Sequence, residues 1–286
     1  MSTFINFNGQ IVPAGNAVLK ASNRAFRYGD SLFESMRLMR GHLNFADMHA
    51  ERLQKGMKKL HLDGYSQLDA YFLRENALEL AARNKCGKHA RIRISVFRDA
   101  EGLYTPSQNT SGFVMEATRL DESWYTSNTR GLIMDIYEEL PKAINTFSNL
   151  KTGSALNYVM AGIFKKRNNL DEAFILNDKG NLCESISANV FVWYDKQLFT
   201  PALSEGCIAG VMRQVVMKLA AEQEIPVIEA EISPEILREA EEVFLTNATQ
   251  GIRWAMGYGN KRYFNEISRM LTARLNDHVK RQYEVI

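Results

Sequence analysis

Ala90-Arg91-Ile92-Arg93-Ile94-Ser95-Val96-Phe97 alternates without a break. Ala90, Ile92, Ile94 and Val96 point one way and Arg91, Arg93, Ser95 and Phe97 the other, the period of two of a strand buried on one face. The next regular stretch, Gly112 to Thr118, reads as a second strand. Upstream, Phe4 to Val12 reads as a hairpin turning at Asn8-Gly9, a two-residue turn signal. Between hairpin and strand lie two helices. One is capped by Asp47 and runs through Arg52 and Leu53 to about Leu60; the other is capped by Ser66 and buries Leu68, Phe72, Leu78 and Ala82. Downstream, Leu132 to Tyr137 is a strand and Thr152 to Arg167 a helix. Strands Glu172 to Leu176 and Asn189 to Tyr194 flank a turn at Asn177-Asp178-Lys179-Gly180. A helix opens at Gly210 and ends near Gln223, another starts at Ser233-Pro234, Glu242 to Thr246 is a strand, and a final helix covers Glu266 to about Arg281. Strands too often follow one another directly for a doubly wound nucleotide fold, so the pattern predicts mixed sheets in an α/β (α+β) chain.

Composition narrows the functional classes. At 286 residues, with 45 % hydrophobic and 24 % charged side chains, the chain is an ordinary packed globular protein of two expected domains. A net charge of +2 is too balanced for a nucleic-acid binder working by phosphate neutralisation. Cys86, Cys183 and Cys207 share no metal or disulfide spacing, and the five histidines form no HExxH. The start, Met1 to Asn6, lacks the basic and apolar parts of a signal peptide, and no run approaches a membrane span. A cytoplasmic protein, working on small molecules and independently of membranes, is the expectation. No GxGxxG or GxxxxGK[ST] is present, which argues against a Rossmann or P-loop enzyme.

Four features invite a chemical reading beside a plain one. Lys151 sits among small and hydroxylic neighbours, Asn149-Leu150-Lys151-Thr152-Gly153-Ser154, where partial desolvation would make its amine a Schiff-base nucleophile; the plain reading is a surface lysine at a helix start. Glu184, before the apolar run Val190 to Trp193, is either a partner for a ligand cation or heterocyclic nitrogen, or a turn acid. Gly206 to Arg213 is a glycine-bearing loop entering a helix, a ready anion site or simply a hydrated helix start. His49 and Arg52, three apart, share a helix face that either holds a phosphate or is solvated.

These features fall into register with a longer motif. Asn23-Arg24-Ala25-Phe26-Arg27-Tyr28-Gly29-Asp30-Ser31-Leu32-Phe33-Glu34-Ser35-Met36-Arg37 resembles the N-terminal signature of the class IV aminotransferases, and the match spans essentially the whole chain. That family comprises pyridoxal 5'-phosphate enzymes of fold type IV: branched-chain and D-amino acid aminotransferases and aminodeoxychorismate lyases. The resemblance implies a two-domain, D-amino acid aminotransferase-like fold, with residues 1–118 as a small N-terminal domain, 119–124 as linker and 125–286 as a larger cofactor-binding domain. It implies a cofactor seated between the domains, and a homodimer. It makes Lys151 the lysine bonded to the cofactor and Glu184 the acid at the pyridine nitrogen. Arg52, with the backbone of Val211 and Met212, would hold the phosphate, and the segment from Phe244 to Thr249 would close the cup. Ala248 stands where branched-chain enzymes place a threonine, so Asn247 or Thr249 would take over that hydrogen bond. Tyr28, Phe33 and Arg93 match substrate-binding positions, Arg93 accepting a side-chain carboxylate, while Arg91 stands where an aromatic is commoner. The tyrosine usual after the lysine is replaced around Leu156, and Phe97 to Tyr104 lacks the Arg-x-His trap of D-specific enzymes. The implied activity is amino transfer from an L-α-amino acid, branched-chain-like, to a 2-oxo acid. The alternative is 4-amino-4-deoxychorismate lyase, which Gly210 to Gln214 and Thr246-Asn247-Ala248 resemble more. A cofactor-binding protein without turnover is a third reading, against which the presence of both Lys151 and Glu184 argues.

Overall fold

The computed structural model describes residues 3–122 and 124–284; Met1 and Ser2 of the N-terminal stretch, Ser123 of the expected linker, and Val285 and Ile286 at the C-terminus lie outside the described residues. The chain divides into two compact units, Met1–Trp124 with Leu150–Ala155, and Tyr125–Asn149 with Leu156–Ile286. The segment carrying Lys151 thus belongs to the first unit.

The first unit contains β1 (Phe4–Phe7), β2 (Gln10–Pro13), α1 (Arg24–Tyr28), β3 (Ser31–Met39), β4 (His42–Leu43), α2 (Ala46–Lys59), α3 (Ala70–Arg83), β5 (Ala90–Arg98) and β6 (Ser111–Arg119). Its strands form one sheet in the order β2-β1-β6-β5-β3-β4, with antiparallel pairing throughout. Ala90, Ile92, Ile94 and Val96 are fully buried and join Leu53 and Met57 of α2 and Leu73, Ala77 and Leu80 of α3 in one apolar cluster. Burying each of the larger side chains contributes about 1.5–3 kcal/mol, which fixes the register because a one-residue slip would turn the arginines inward. Phe97 lies on the polar side but is also buried, its ring covering Gly112, its register partner on β6.

The helix starts differ from the sequence expectation. Phe45, in the left-handed region, precedes α2 without a side-chain cap, and Asp47 lies in the first turn, where it complements the helix dipole instead. The cap of α3 is Asp69, which accepts from the Phe72 N–H at 2.7 Å, while Ser66 falls in a single 3₁₀ turn. The later start rotates the buried face, so Leu73, Ala77, Leu80 and Ala81 are inside while Leu78 and Ala82 are exposed.

The second unit contains β7 (Leu132–Lys142), α4 (Leu156–Arg167), β8 (Glu172–Asn177), β9 (Leu182–Ser185), β10 (Asn189–Tyr194), β11 (Gln197–Pro201), α5 (Val211–Ala221), β12 (Val227–Ala230), α6 (Ile236–Glu239), β13 (Glu242–Asn247), β14 (Gly251–Tyr258), β15 (Lys261–Arg262) and α7 (Glu266–Glu284). Its sheet runs β12-β11-β10-β13-β14-β7-β8-β9, with β15 on β14. The pairs β11–β12, β7–β14 and β7–β8 are parallel, so the sheet is mixed as the pattern predicts. Strands β10 and β13 are buried on both faces, which is why they read as continuous apolar runs; Phe191 and Phe244, opposite each other in register, stack at 5.2 Å.

Here too the expectation needs correcting. Helix α4 begins at Leu156 because residues 151–153 are extended, as described below. Glu184 sits inside β9, a strand too short to show a period, rather than in a turn. After Ser233-Pro234 only the single helical turn α6 forms, beginning at Ile236.

Candidate active site

In the first unit the candidate site is built on the edge of β3. The Phe33 N–H donates to the Lys151 carbonyl at 2.9 Å, and the Gly153 N–H donates to the Ser31 carbonyl at 2.8 Å. These bonds splice residues 151–153 onto β3, with Thr152 bridging Leu32. The splice is close-fitting: a Cβ on Gly153 would lie 2.0 Å from the Ser31 hydroxyl, which would have to turn away. Held this way, the Lys151 amine lies 4.4 Å from the centroid of the Phe33 ring. The Arg93 guanidinium approaches the same ring to 3.8 Å, so Lys151 and Arg93 converge on Phe33. Tyr28 packs on Tyr104 at 5.5 Å and beneath Arg24.

On the other face of β3, Glu34 is the one acid between Leu32 and Met36, where the sheet packs on α2. It accepts from Arg52 Nε at 2.7 Å and Nη2 at 2.5 Å, and from His49 Nδ1 at 2.7 Å. Burial alone would push the Glu34 carboxyl up; the charges and hydrogen bonds of Arg52 and His49 outweigh it and hold the pKa at about 2. Burial lowers His49, which is fully inaccessible, and its Nε2 has no hydrogen-bond partner. The two basic residues read as a phosphate-holding pair therefore differ in role. His49 shares Arg52's carboxylate, and Arg52 is an oriented guanidinium whose side chain remains 12 % exposed. Glu34 went unread in the sequence, where it stood only within the Asn23 to Arg37 motif.

Arg98 illustrates the opposite case. It pairs with Asp30 at 2.9 Å and donates to the carbonyls of Leu60 and His61, so it is a structural clamp.

In the second unit Glu184 is almost wholly buried and accepts three hydrogen bonds: from Lys142 Nζ at 2.5 Å and the Tyr158 hydroxyl at 2.6 Å, both on Oε1, and from the Ile208 N–H at 2.9 Å on Oε2. A carboxylate accepts about four, so Oε2 has capacity for one more donor. Burial, reinforced by the Glu184 charge, pushes the Tyr158 phenol far up, which keeps it a donor. Burial likewise raises the thiols of Cys183 and, to about 12, of Cys207. Lys142 and Tyr158 went unnoticed in the sequence. Tyr158 lies two residues beyond Leu156, itself exposed, where the family tyrosine is replaced.

The loop held by Glu184 leads into α5. Asn189 Nδ2 donates to the Ile208 carbonyl at 2.8 Å, and its Oδ1 would lie 1.9 Å from a Cβ on Gly210, so this position also requires glycine. Helix α5 then starts without a side-chain cap or an acid in its first turn, leaving the Val211 and Met212 N–H groups for an anion. Thr246 pairs with Asn189 across β13 and β10 and so shares its face; its buried hydroxyl has no partner. Asn247 Oδ1 instead accepts from the Thr249 and Gln250 N–H groups, at 3.1 Å and 2.8 Å, and the Ala248 carbonyl accepts from the Tyr125 hydroxyl at 3.0 Å. Of the expected cup residues, Asn247 and Ala248 therefore shape the turn. Within the second unit, an uncapped helix start, an orphaned hydroxyl and a buried acid with an open acceptor are groups of the kind a phosphorylated pyridine requires.

Among the described residues, no group of side chains could hold a metal ion and no helix is long and apolar enough to cross a membrane. The family profile of the class IV amino-transferases matches residues 31–255. The branched-chain-amino-acid aminotransferase of Salmonella typhimurium is 26 % identical over 259 residues, 87 % of this chain and 82 % of that protein. The aminodeoxychorismate lyase of Bacillus subtilis is 24 % identical over 245 residues, 85 % and 83 % of the two chains. A Brucella abortus aminotransferase crystallised with the cofactor PLP superposes with a TM-score of 0.83 at 20 % identity, over 95 % of this chain and 97 % of that one. The matched span covers β3, the lysine segment, the Glu184 strand and the start of α5, and the chain belongs to the class IV aminotransferases, a pyridoxal-phosphate-dependent family.

Proposed function

We propose that the protein moves the amino group of an L-α-amino acid of the branched-chain kind to a 2-oxo acid, with pyridoxal 5'-phosphate bonded to Lys151. The observation that carries this reading is the splice of residues 151–153 onto β3, which fixes a lysine amine over Phe33 beside Arg93. When bound, the cofactor supplies an aldehyde that condenses with amines and a ring that takes up the electron pair of the substrate α-carbon.

The chain's residues do the rest. The Lys151 amine, held over Phe33, would carry the proton away from the substrate Cα and later return one. Glu184 would hold the cofactor's ring nitrogen, while Lys142, Tyr158 and the Ile208 N–H fix its orientation. The Arg52 guanidinium, aimed by Glu34, and the Val211 and Met212 N–H groups would hold the phosphate, with the Thr246 hydroxyl in the role expected of Asn247, Ala248 or Thr249. Phe33 packs on the substrate side chain. Two half-reactions on one lysine give ping-pong kinetics.

Borohydride reduction of the loaded protein followed by peptide mapping tests this reading: the label should fall on Lys151, and Lys151→Ala should take none. Leu156 and the Val211-Met212 helix start favour a second reading, 4-amino-4-deoxychorismate lyase. Release of pyruvate and 4-aminobenzoate from aminodeoxychorismate, without keto acid from leucine or valine, would decide for it. The implied homodimer finds support in Leu156, Val159 and Ile163, exposed at helical spacing along α4, and light scattering at twice the chain mass tests it.

A further inference from the structure

Glu172, the first residue of β8, is a buried carboxylate that meets the turn between Glu184 and Asn189. Strand β8 pairs with β9 through Phe174–Ser185 and Ile175–Glu184, so Glu172, two residues before Phe174, stands level with residues 185–188 that follow β9. The ends of that turn are closed by Ser185, whose N–H and hydroxyl both donate to the Ala188 carbonyl, at 2.8 Å and 3.2 Å. Its middle is held by Glu172. Oε2 accepts from the Ser187 hydroxyl at 3.3 Å, Oε1 accepts from the Ala173 N–H at 3.1 Å, and the Ile186 N–H donates to the same carboxylate. The two arms of the hairpin both grip the loop before α5: Glu184 accepts from the Ile208 N–H, while Asn189 donates to the Ile208 carbonyl and lays its Oδ1 against Gly210. Whatever fixes the turn therefore fixes the spacing of these two grips. Glu172 also walls a cleft of about 140 Å³, through which protons reach it. The charged groups around that cleft are Lys165 from α4, the adjacent Asp171 and Arg253 on β14; Asp171 is itself engaged by Arg130 and the Ile133 N–H, and the turn brings no charge. Burial pushes the Glu172 carboxyl up by more than the Ala173 N–H, Lys165 and the Ser187 hydroxyl draw it back.

We propose that Glu172 is a positioning residue for the cofactor site, its ionised carboxylate clamping the middle of the 185–188 turn and so holding Glu184 and Asn189 on the loop before α5. The inference rests on the assignment of Glu184 to the cofactor ring and deepens it. Protonation converts one of the two acceptor oxygens into a donor, against two N–H groups and a hydroxyl that already donate there, and the clamp opens. It opens at a pH where Glu34, held at about 2, is still ionised.

The test titrates the full-length, cofactor-free protein with pyridoxal phosphate and reads the absorption of the bound form as pH falls from about 8 toward 5. At the alkaline end Glu172→Gln should bind about tenfold more weakly than wild type, the scale of one hydrogen bond to a charged group, and Ser187→Ala about threefold more weakly. Toward the acid end the wild-type curve should converge on that of Glu172→Gln, because both then lack the charged clamp; a contribution to stability alone would keep the two curves parallel. Ser187→Ala removes only an exposed hydroxyl, so it tests the clamp even if Glu172→Gln melts early. Parallel curves, or wild-type affinity in both variants, overturn the proposal. Glu184→Gln in the same titration separates the two ideas. Weak binding by Glu184→Gln beside unchanged binding by Glu172→Gln sinks only the clamp. Unchanged binding by Glu184→Gln beside a converging Glu172→Gln sinks the Glu184 assignment and leaves a clamp that acts through Asn189.

Discussion

Glu34 and Glu184 are both buried carboxylates on strands, yet their surroundings differ in kind. Glu34 is met by a guanidinium and an imidazole, each reaching it from α2. Glu184 is met by an ammonium, a phenol and a backbone N–H, drawn from β7, α4 and the loop before α5. Each acid accepts three hydrogen bonds, but the first takes all of them from one helix and the second from three separate elements. Burial of a charge by itself thus says little about role; the origin of its donors says more.

Three measurements would break or sharpen this contrast. Glu184→Gln keeps most hydrogen bonds but removes the charge offered to the ring nitrogen, and kcat for amino transfer should fall by a factor on the order of 10²–10⁴. A loss below threefold would put Glu184 with Glu34 as a structural acid. Glu34→Gln leaves the Arg52 charge without its counter-ion and should cost about 3–5 kcal/mol of stability in a denaturant melt. The pH profile carries the sign: with a folded pKa of about 2 against an ordinary 4.5, Glu34's contribution is complete above pH 4.5 and is lost as pH falls toward 2. Wild type should therefore lose stability across that window more steeply than Glu34→Gln; parallel curves would refute the pairing. Tyr158→Phe deletes one of three donors to Glu184, and a stability loss of about 1 kcal/mol is expected. No loss would show that the hydroxyl finds no better partner in the fold than in water.

The fold's legibility follows the same physics. Strand β5 was readable because one face is buried and the other is not, so its register is written in every second residue. Strand β9 was invisible: four buried residues carry no period, and the acid it holds looked like a turn residue. The start of α3 was misplaced because Ser66 and Asp69 both make good caps, and only the packing of Leu73 and Leu80 selects between them. Among the site residues, Lys151, Arg93 and Phe33 could be placed together from the family resemblance. The companions of Glu184, Lys142 and Tyr158, lie 42 and 26 residues from it in sequence, and nothing local announces such a meeting. Thr246 surfaced only as a hydroxyl that the fold leaves unsatisfied.

The stitching of residues 151–153 to β3 has a practical corollary. With its main chain sewn down on both sides, Lys151 can adjust its reach only by rotating its own methylenes, never by shifting the ribbon beneath. Anyone wishing to retune this scaffold would find position 153 crowded by the Ser31 hydroxyl, and would do better to work from the neighbouring strands, where the surroundings of the amine can be altered without loosening its mooring.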